Sequence, residues 1–300
     1  MNAPDHLLVK DVYKQYGTKL VLDNVDLRIS NGELVSVVGP SGCGKSTLLR
    51  LILGQEQPSS GCIQIDGSPI RSPDRSRGIV YQKYSLFPHL TVLGNVVLGQ
   101  RLSMGFLEWR RERARVEAEA HAILSRMRLG KDLHKFPHEL SGGMQQRVAI
   151  AQALLLRPRV LLMDEPFGAL DPGTREDMQL YLLELWEELK MTVFFVTHDL
   201  EEAVFLGTRL LVLSQYYRDD RADAAPRGAK VVADHPLPKE ANSTLVKVRV
   251  EFADMLAQVR RDGFEPEYRK HVEEFNLRHP DSWRTLTPQE ASDREPHSRT

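Results

Sequence analysis

The sequence predicts an α/β fold: a largely parallel sheet with helices on its faces. Three observations predict it. Short, mostly apolar runs recur at 34–38, 160–163, 192–197 and 209–213, the pattern of strands covered on both faces. Stretches of helical periodicity separate them, and alternation of strand and helix builds parallel sheets. Of 300 residues, 41% are hydrophobic, enough for a sizeable core. That content also excludes collagen-like and fully disordered classes.

The elements follow in order. Residues 7–9, 20–22 and 25–29 are β-prone, and Leu27-Arg28-Ile29 alternates as a half-buried strand does. Asn31-Gly32 is a turn signal before the buried run 34–38, which stops at Gly39. Leu48, Leu49, Leu51, Ile52 and Leu53 then form an apolar helix, closed by Gly54 and Pro58. Residues 108–129 are mostly helical, with Val116, Ala120, Ile123, Leu124 and Met127 on one face. The interspersed Arg110, Arg111, Glu112, Arg113, Arg115, Glu117 and Glu119 read as a solvated mixed-charge face. Residues 216–228 are charged and read as a loop. A helical extension is expected over 241–280, with Leu245, Val248, Phe252, Met255, Leu256 and Val259 in period behind cap candidates at 242–244. Residues 281–300 are expected to be a disordered tail.

Charge and cysteine content narrow the function classes. Lys and Arg number 40 against 41 Asp and Glu, a net charge of −1, so attraction of the whole chain to nucleic acid is not expected. Two cysteines, Cys43 and Cys62, exclude a disulfide framework and a four-cysteine zinc site. No window approaches the ~18 consecutive apolar residues of a membrane span, and the first ten residues lack the apolar stretch of a signal peptide. The expectation is a soluble protein of a reducing compartment, with a membrane partner left open.

Gly39-Pro40-Ser41-Gly42-Cys43-Gly44-Lys45-Ser46-Thr47 matches G-x-x-x-x-G-K-[S/T] in full, between an apolar strand and an apolar helix. The glycines let backbone N–H groups turn inward around a phosphate chain, and the helix N-terminus adds positive dipole. Lys45 reaches the β- and γ-phosphates and Ser46 ligates Mg²⁺. Cys43 reads as a small loop filler and Cys62 as strand packing. The run 160–163 ends in Asp164-Glu165, two carboxylates at a strand tip. Asp164 is expected to hold Mg²⁺ through water, and Glu165 to orient and polarise an attacking water.

Leu140-Ser141-Gly142-Gly143-Met144-Gln145 resembles the LSGGQ signature of ATP-binding cassette (ABC) ATPases and lies between the phosphate loop and the acidic strand, in the family's order. Tyr16 resembles the aromatic that stacks on adenine, Gln82 the Q-loop glutamine, Ala169-Leu170-Asp171 the D-loop, and His198 the switch histidine. The resemblance covers about residues 5–240 and departs at Met144, where many members carry Gln. It implies a P-loop NTPase with a RecA-like, mostly parallel sheet, an antiparallel β-subdomain and a helical subdomain inserted over about 83–145.

The resemblance also implies a mechanism shared between two copies of the chain, closed head to tail on two ATP molecules. Ser141, Gly142 and Gly143 would contact the γ-phosphate held by the other copy's Lys45 loop. Asp171 would organise the dimer interface. His198 would contact the γ-phosphate, and Gln82 would sense metal and water. The helical subdomain would dock on an integral membrane permease, and the apolar loop 84–90 is a candidate contact surface. A peripheral position on the cytoplasmic face of the membrane follows, with a periplasmic or lipoprotein substrate-binding protein engaged indirectly.

The string Met163 to Asp171 resembles bacterial importers, and Thr197 to Ala203 the nitrate, sulfonate and taurine group. His89 departs from that group, where Trp is common, and looks more like polyamine, sugar or iron importers. Soluble cassette proteins of translation control or DNA repair resemble two cassettes in one chain or a cassette split by a long coiled coil; one phosphate loop and one signature occur here. A dimerisation switch without hydrolysis is opposed by Glu165 and His198.

Overall fold

The computed structural model describes residues 6–82, 86–222, 227–237 and 250–282. Two compact units are present: Met1–Pro73 with Phe194–Thr300, and Asp74–Val193.

The first unit opens with strands β1 (Leu7–Tyr16) and β2 (Lys19–Ile29), an antiparallel pair. The three β-prone runs are therefore two continuous strands. Between the second and third runs, Asp23 and Asn24 continue β2 as buried polar residues. The Asp11 amide donates to the Asp26 carboxylate at 2.7 Å, and the Tyr217 hydroxyl donates to Asp23 at 2.7 Å. Strand β3 (Leu34–Val38) is buried at all five positions, as expected. Helix α1 (Lys45–Leu53) follows, then β4 (Ser60–Ile65) and β5 (Ser68–Pro69), which complete an antiparallel sheet of order β2-β1-β4-β5.

The second unit holds β6 (Arg77–Tyr81), α2 (Val92–Ser103), α3 (Phe106–Arg126), α4 (Gly142–Leu155), β7 (Val160–Asp164) and α5 (Pro172–Leu189). Strands β6 and β7 pair in parallel. Helix α3 buries Val116, Ala120 and Leu124 on one face. Its other face carries the pairs Arg113–Glu117 at 2.8 Å and Arg115–Glu112 at 2.9 Å, the solvated mixed-charge surface expected. Fully buried Asn95 organises the turn before α2. Its side chain accepts from the Phe87 amide at 2.7 Å and donates to the carbonyls of Phe87, Leu90 and Thr91.

Strand β8 (Thr192–Val196) carries the boundary between the units. The first unit then continues with α6 (Leu200–Leu206), β9 (Arg209–Ser214), β10 (Tyr217–Arg218), β11 (Lys230–Pro236), α7 (Val250–Gly263), β12 (Lys270–His271) and β13 (Asn276–Leu277). Pairing is parallel for β3 with β9 and β11 with β13, and antiparallel for β9 with β11. The fold is thus α/β, with mostly parallel pairing in the strands that carry the motif loops and a separate antiparallel sheet.

The later third of the chain differs most from expectation. Residue 217 falls in the segment read as a loop, yet Tyr217 is buried in the core with Val38, Val212, Val259 and Phe275. Its ring meets Phe275 edge-on at 5.9 Å. The extension is helical only to Gly263; short strands and turns follow it. Arg278 and His279 donate their amides to the Asp234 carbonyl, and the Ser282 hydroxyl donates to the Asp234 carboxylate at 2.6 Å. Leu245, Val248, the cap candidates at 242–244 and the tail beyond 282 lie outside the described residues.

Arg209 fastens this region from within. Its guanidinium donates twice to Asp234, at 2.8 and 2.7 Å, and to the Arg28 carbonyl at 2.6 Å. Both charged side chains are almost completely buried, at 1% and 2% exposure. The fork geometry that matches a carboxylate makes Arg the suitable cation here.

Candidate active site

In the first unit, the phosphate loop leaves the end of β3. A side chain at Gly39 is excluded: its β-carbon would stand 2.0 Å from the Leu213 carbonyl oxygen and 2.8 Å from the Cys43 sulfur. Cys43 is buried, and burial pushes its thiol up, which favours the neutral filler role. Gly44, in the left-handed region with φ 105°, precedes α1 and supplies no side-chain cap to the helix amides. Lys45 is 92% buried, by its 8% exposure, and its ammonium donates to the carbonyls of Gly39 at 2.7 Å and Pro40 at 3.1 Å. A buried cation bonded to neutral oxygens, beside uncapped helix amides, fits a phosphate anion.

His198 belongs to the same unit. The Thr197 amide donates to the Val37 carbonyl at 3.2 Å. This bond sets the segment after β8 beside the end of β3, where the phosphate loop begins. Thr197 is itself fixed by Glu202, to which its hydroxyl donates at 2.6 Å, and Asp199 caps α6 through the Glu202 amide at 3.1 Å. Tyr16 ends β1 with its ring 41% exposed. Its hydroxyl donates to Glu56, which also pairs with Lys14 and Arg50 at 2.9 and 2.8 Å.

The second unit gathers the carboxylates and the signature. Tyr81 is in register with Asp164 across the parallel pair β6/β7, so Gln82 and Glu165 follow two adjacent strand ends. Glu165 adopts φ 47°, rare for a residue with a side chain. The Gly168 amide closes that turn on the Glu165 carbonyl at 3.2 Å. A β-carbon at Gly168 would meet the Gln82 amide nitrogen at 3.1 Å. Gln82, Asp164 and Glu165 thus sit around one turn. Their donors are amide and carboxylate oxygens, the kind a hard Mg²⁺ ion takes.

Ser141 caps α4, its hydroxyl accepting from the Met144 amide at 3.4 Å. Gly142 and Gly143 form the first turn of that helix. Asp171 caps α5 through the Thr174 amide at 3.0 Å. That bond holds the Asp171 carboxyl below its usual range.

The first unit therefore sets the segment of His198 beside the start of the loop of Gly39, Pro40, Ser41, Gly42, Cys43, Gly44, Lys45, Ser46 and Thr47, and carries Tyr16 at the end of β1. The second brings together Gln82, Asp164 and Glu165, and carries Asp171 at the start of α5 and Ser141, Gly142 and Gly143 at the start of α4. Sequence reasoning did not single out Asn95 or Thr174. A lone Asn in an apolar helix was a usable signal for Asn95; no local signal marks Thr174.

Residues 22–168 match the family model described as ABC transporter. The chain is 45% identical over 213 residues to the nitrate import ATP-binding protein of Synechocystis, covering 70% of this chain and 78% of that one. It is 47% identical over 208 residues to the taurine import ATP-binding protein of Yersinia pestis, covering 69% and 79%. The chain belongs to the ABC transporter family. It is an ATP-binding cassette of that family, an ATPase coupled to transport. Among solved structures, the dimeric structure of a bacterial ABC transporter cassette matches with TM-score 0.62 and 34% identity over 78% of this chain and 100% of that one. No described helix of the cassette is long and apolar enough to cross a membrane.

Proposed function

We propose that this cassette energises a bacterial importer of a small oxyanion, of the nitrate, sulfonate or taurine class, by hydrolysing ATP between two copies of itself. The observation that carries the reading is Lys45: a buried ammonium on two neutral carbonyls, at the start of an uncapped helix, calls for a phosphate. The relatives named for nitrate and taurine import, at 45% and 47% identity, support the substrate class.

In this reading Tyr16 stacks on the adenine, and the loop from Gly39 to Thr47 holds the phosphates. Ser46, Gln82 and Asp164 hold Mg²⁺, which supplies positive charge to the phosphate oxygens when bound. Glu165 orients the attacking water and accepts its proton, and His198 holds the γ-phosphate in line. Ser141 and the amides of Gly142 and Gly143 reach the nucleotide held by the second copy, and Asp171 stands at that interface. A permease in the membrane receives the resulting motion at the cytoplasmic face, and a periplasmic or lipoprotein binding protein delivers the substrate to the permease.

The test is uptake in the native cell after Lys45→Ala, with nitrate, taurine, alkanesulfonates, a polyamine, a sugar and iron offered in parallel. Selective loss of nitrate or sulfonate uptake is the expected result. Loss of polyamine, sugar or iron uptake instead would reject the substrate class.

A further inference from the structure

The extension that follows α7 builds a cavity of about 620 Å³ in the first unit, remote in sequence from every motif above. Arg261, Arg269, Lys270 and Arg278 line it, and Asp262 is the only acid among the lining residues. That acid is already committed. Asp262 is buried; it accepts from Lys270 at 2.5 Å and from the Asn276 side chain at 2.9 Å, and His235 lies 3.7 Å away. Three guanidinium groups therefore share one concave wall with no uncommitted carboxylate among the lining residues. Two of them are held in place by neighbouring groups, one a backbone carbonyl and one a side-chain amide. Arg269 donates to the Pro266 carbonyl at 3.0 Å, and Arg278 to the Asn276 side chain at 3.1 Å. Each such bond uses one Nε–H and leaves the forked end of the guanidinium for a ligand. Tyr268, 58% exposed, lines the same cavity.

We infer that this cavity binds a small, multiply charged oxyanion, of the phosphate or pyrophosphate class, separately from the phosphate loop. Like charges converging on one wall repel one another unless an anion lies between them. Planar guanidinium forks match phosphate oxygens two at a time. The site is concave, so it suits a soluble ligand better than a flat lipid surface. Its walls come from α7, from the segment 268–270 and from Asn276 and Arg278, so an anion there would tie the extension together. The inference does not rest on the importer reading.

The experiment is calorimetric titration of inorganic pyrophosphate into the full chain saturated with ADP, so that the phosphate loop is occupied. One equivalent per chain is expected to bind. The double variant Arg261→Glu/Arg278→Glu is expected to weaken binding at least tenfold while ATP turnover is retained. Arg260→Glu, an exposed neighbour that does not line the cavity, is expected to leave binding unchanged. Should the double variant fold poorly, Arg261→Gln alone is expected to weaken binding by a few-fold. Absence of pyrophosphate binding, equal binding in the folded variants, or equal weakening by Arg260→Glu would overturn the inference. Binding to phosphatidylglycerol vesicles without pyrophosphate binding would overturn it as well.

Discussion

Gly143 lies directly against Thr174. A β-carbon on Gly143 would stand 2.4 Å from the Thr174 methyl group, closer than real contacts allow. The signature glycine at the start of α4 is thereby fixed to the residue whose amide Asp171 caps at the start of α5. Two motifs separated in sequence are one packed joint.

Gly143→Ala should therefore push on Thr174 and disturb both helix starts. Overpacking of this kind costs about 1–3 kcal/mol, and ATP turnover is expected to fall. Thr174→Ser removes the offending methyl group but keeps the amide that Asp171 caps. The double variant Gly143→Ala/Thr174→Ser should recover most of the stability lost by Gly143→Ala alone. Urea denaturation of the three variants decides this; no recovery in the double variant would reject the contact as the cause.

Arg209→Leu should be among the most damaging single changes outside the motifs. It leaves Asp234 buried without its bidentate partner, and breaking a buried pair in this way costs about 3–5 kcal/mol. Replacing both partners, as Arg209→Met with Asp234→Leu, should cost less than Arg209→Leu. Equilibrium denaturation midpoints check the order, and a double variant weaker than the single one would contradict it.

Acid should loosen the extension through Asp262. Burial alone would raise its carboxyl, but the contacts with His235, Lys270 and Asn276 outweigh burial and bring it down from 3.8 to about 2. A carboxyl lowered on folding stabilises above its unfolded value and loses that contribution as pH falls through the folded value. The window is therefore from about pH 4 down to about pH 2. Asp262→Asn should be less stable at neutral pH and should lack this part of the acid dependence. Thermal melting at pH 7, 4 and 2.5 tests it; an unchanged slope below pH 4 in Asp262→Asn would contradict the assignment.

Asn95→Leu should unfasten the turn before α2. Four hydrogen bonds to the backbone of 87–91 disappear, and buried groups left without partners cost about 1–3 kcal/mol each. Amide hydrogen exchange at Phe87 should quicken relative to α4. Equal protection in both chains would show that the turn does not depend on Asn95.

The legible parts of this chain were those fixed by local pattern. β3 reads at its observed bounds because four apolar residues around Ser36, between Asn31-Gly32 and Gly39, admit few alternatives. The phosphate loop was readable because its spacing is itself the chemistry. What escaped was set by distant partners. Tyr217 reads as a loop residue until Asp23, nearly two hundred residues away, accepts from its hydroxyl. Arg209 reads as a polar strand start until Asp234 pairs with it. The two-residue strands β12 and β13 are too short for any periodicity, and only β10 and β11 define them.

The most direct test of the central claim is phosphate release by the purified chain with Glu165→Gln. Removing a positioned base typically costs 10²–10⁴-fold in rate. The account predicts that turnover falls by about that factor while ATP binding persists and an ATP-dependent dimer accumulates in light scattering. Turnover equal to that of the unaltered chain would contradict it.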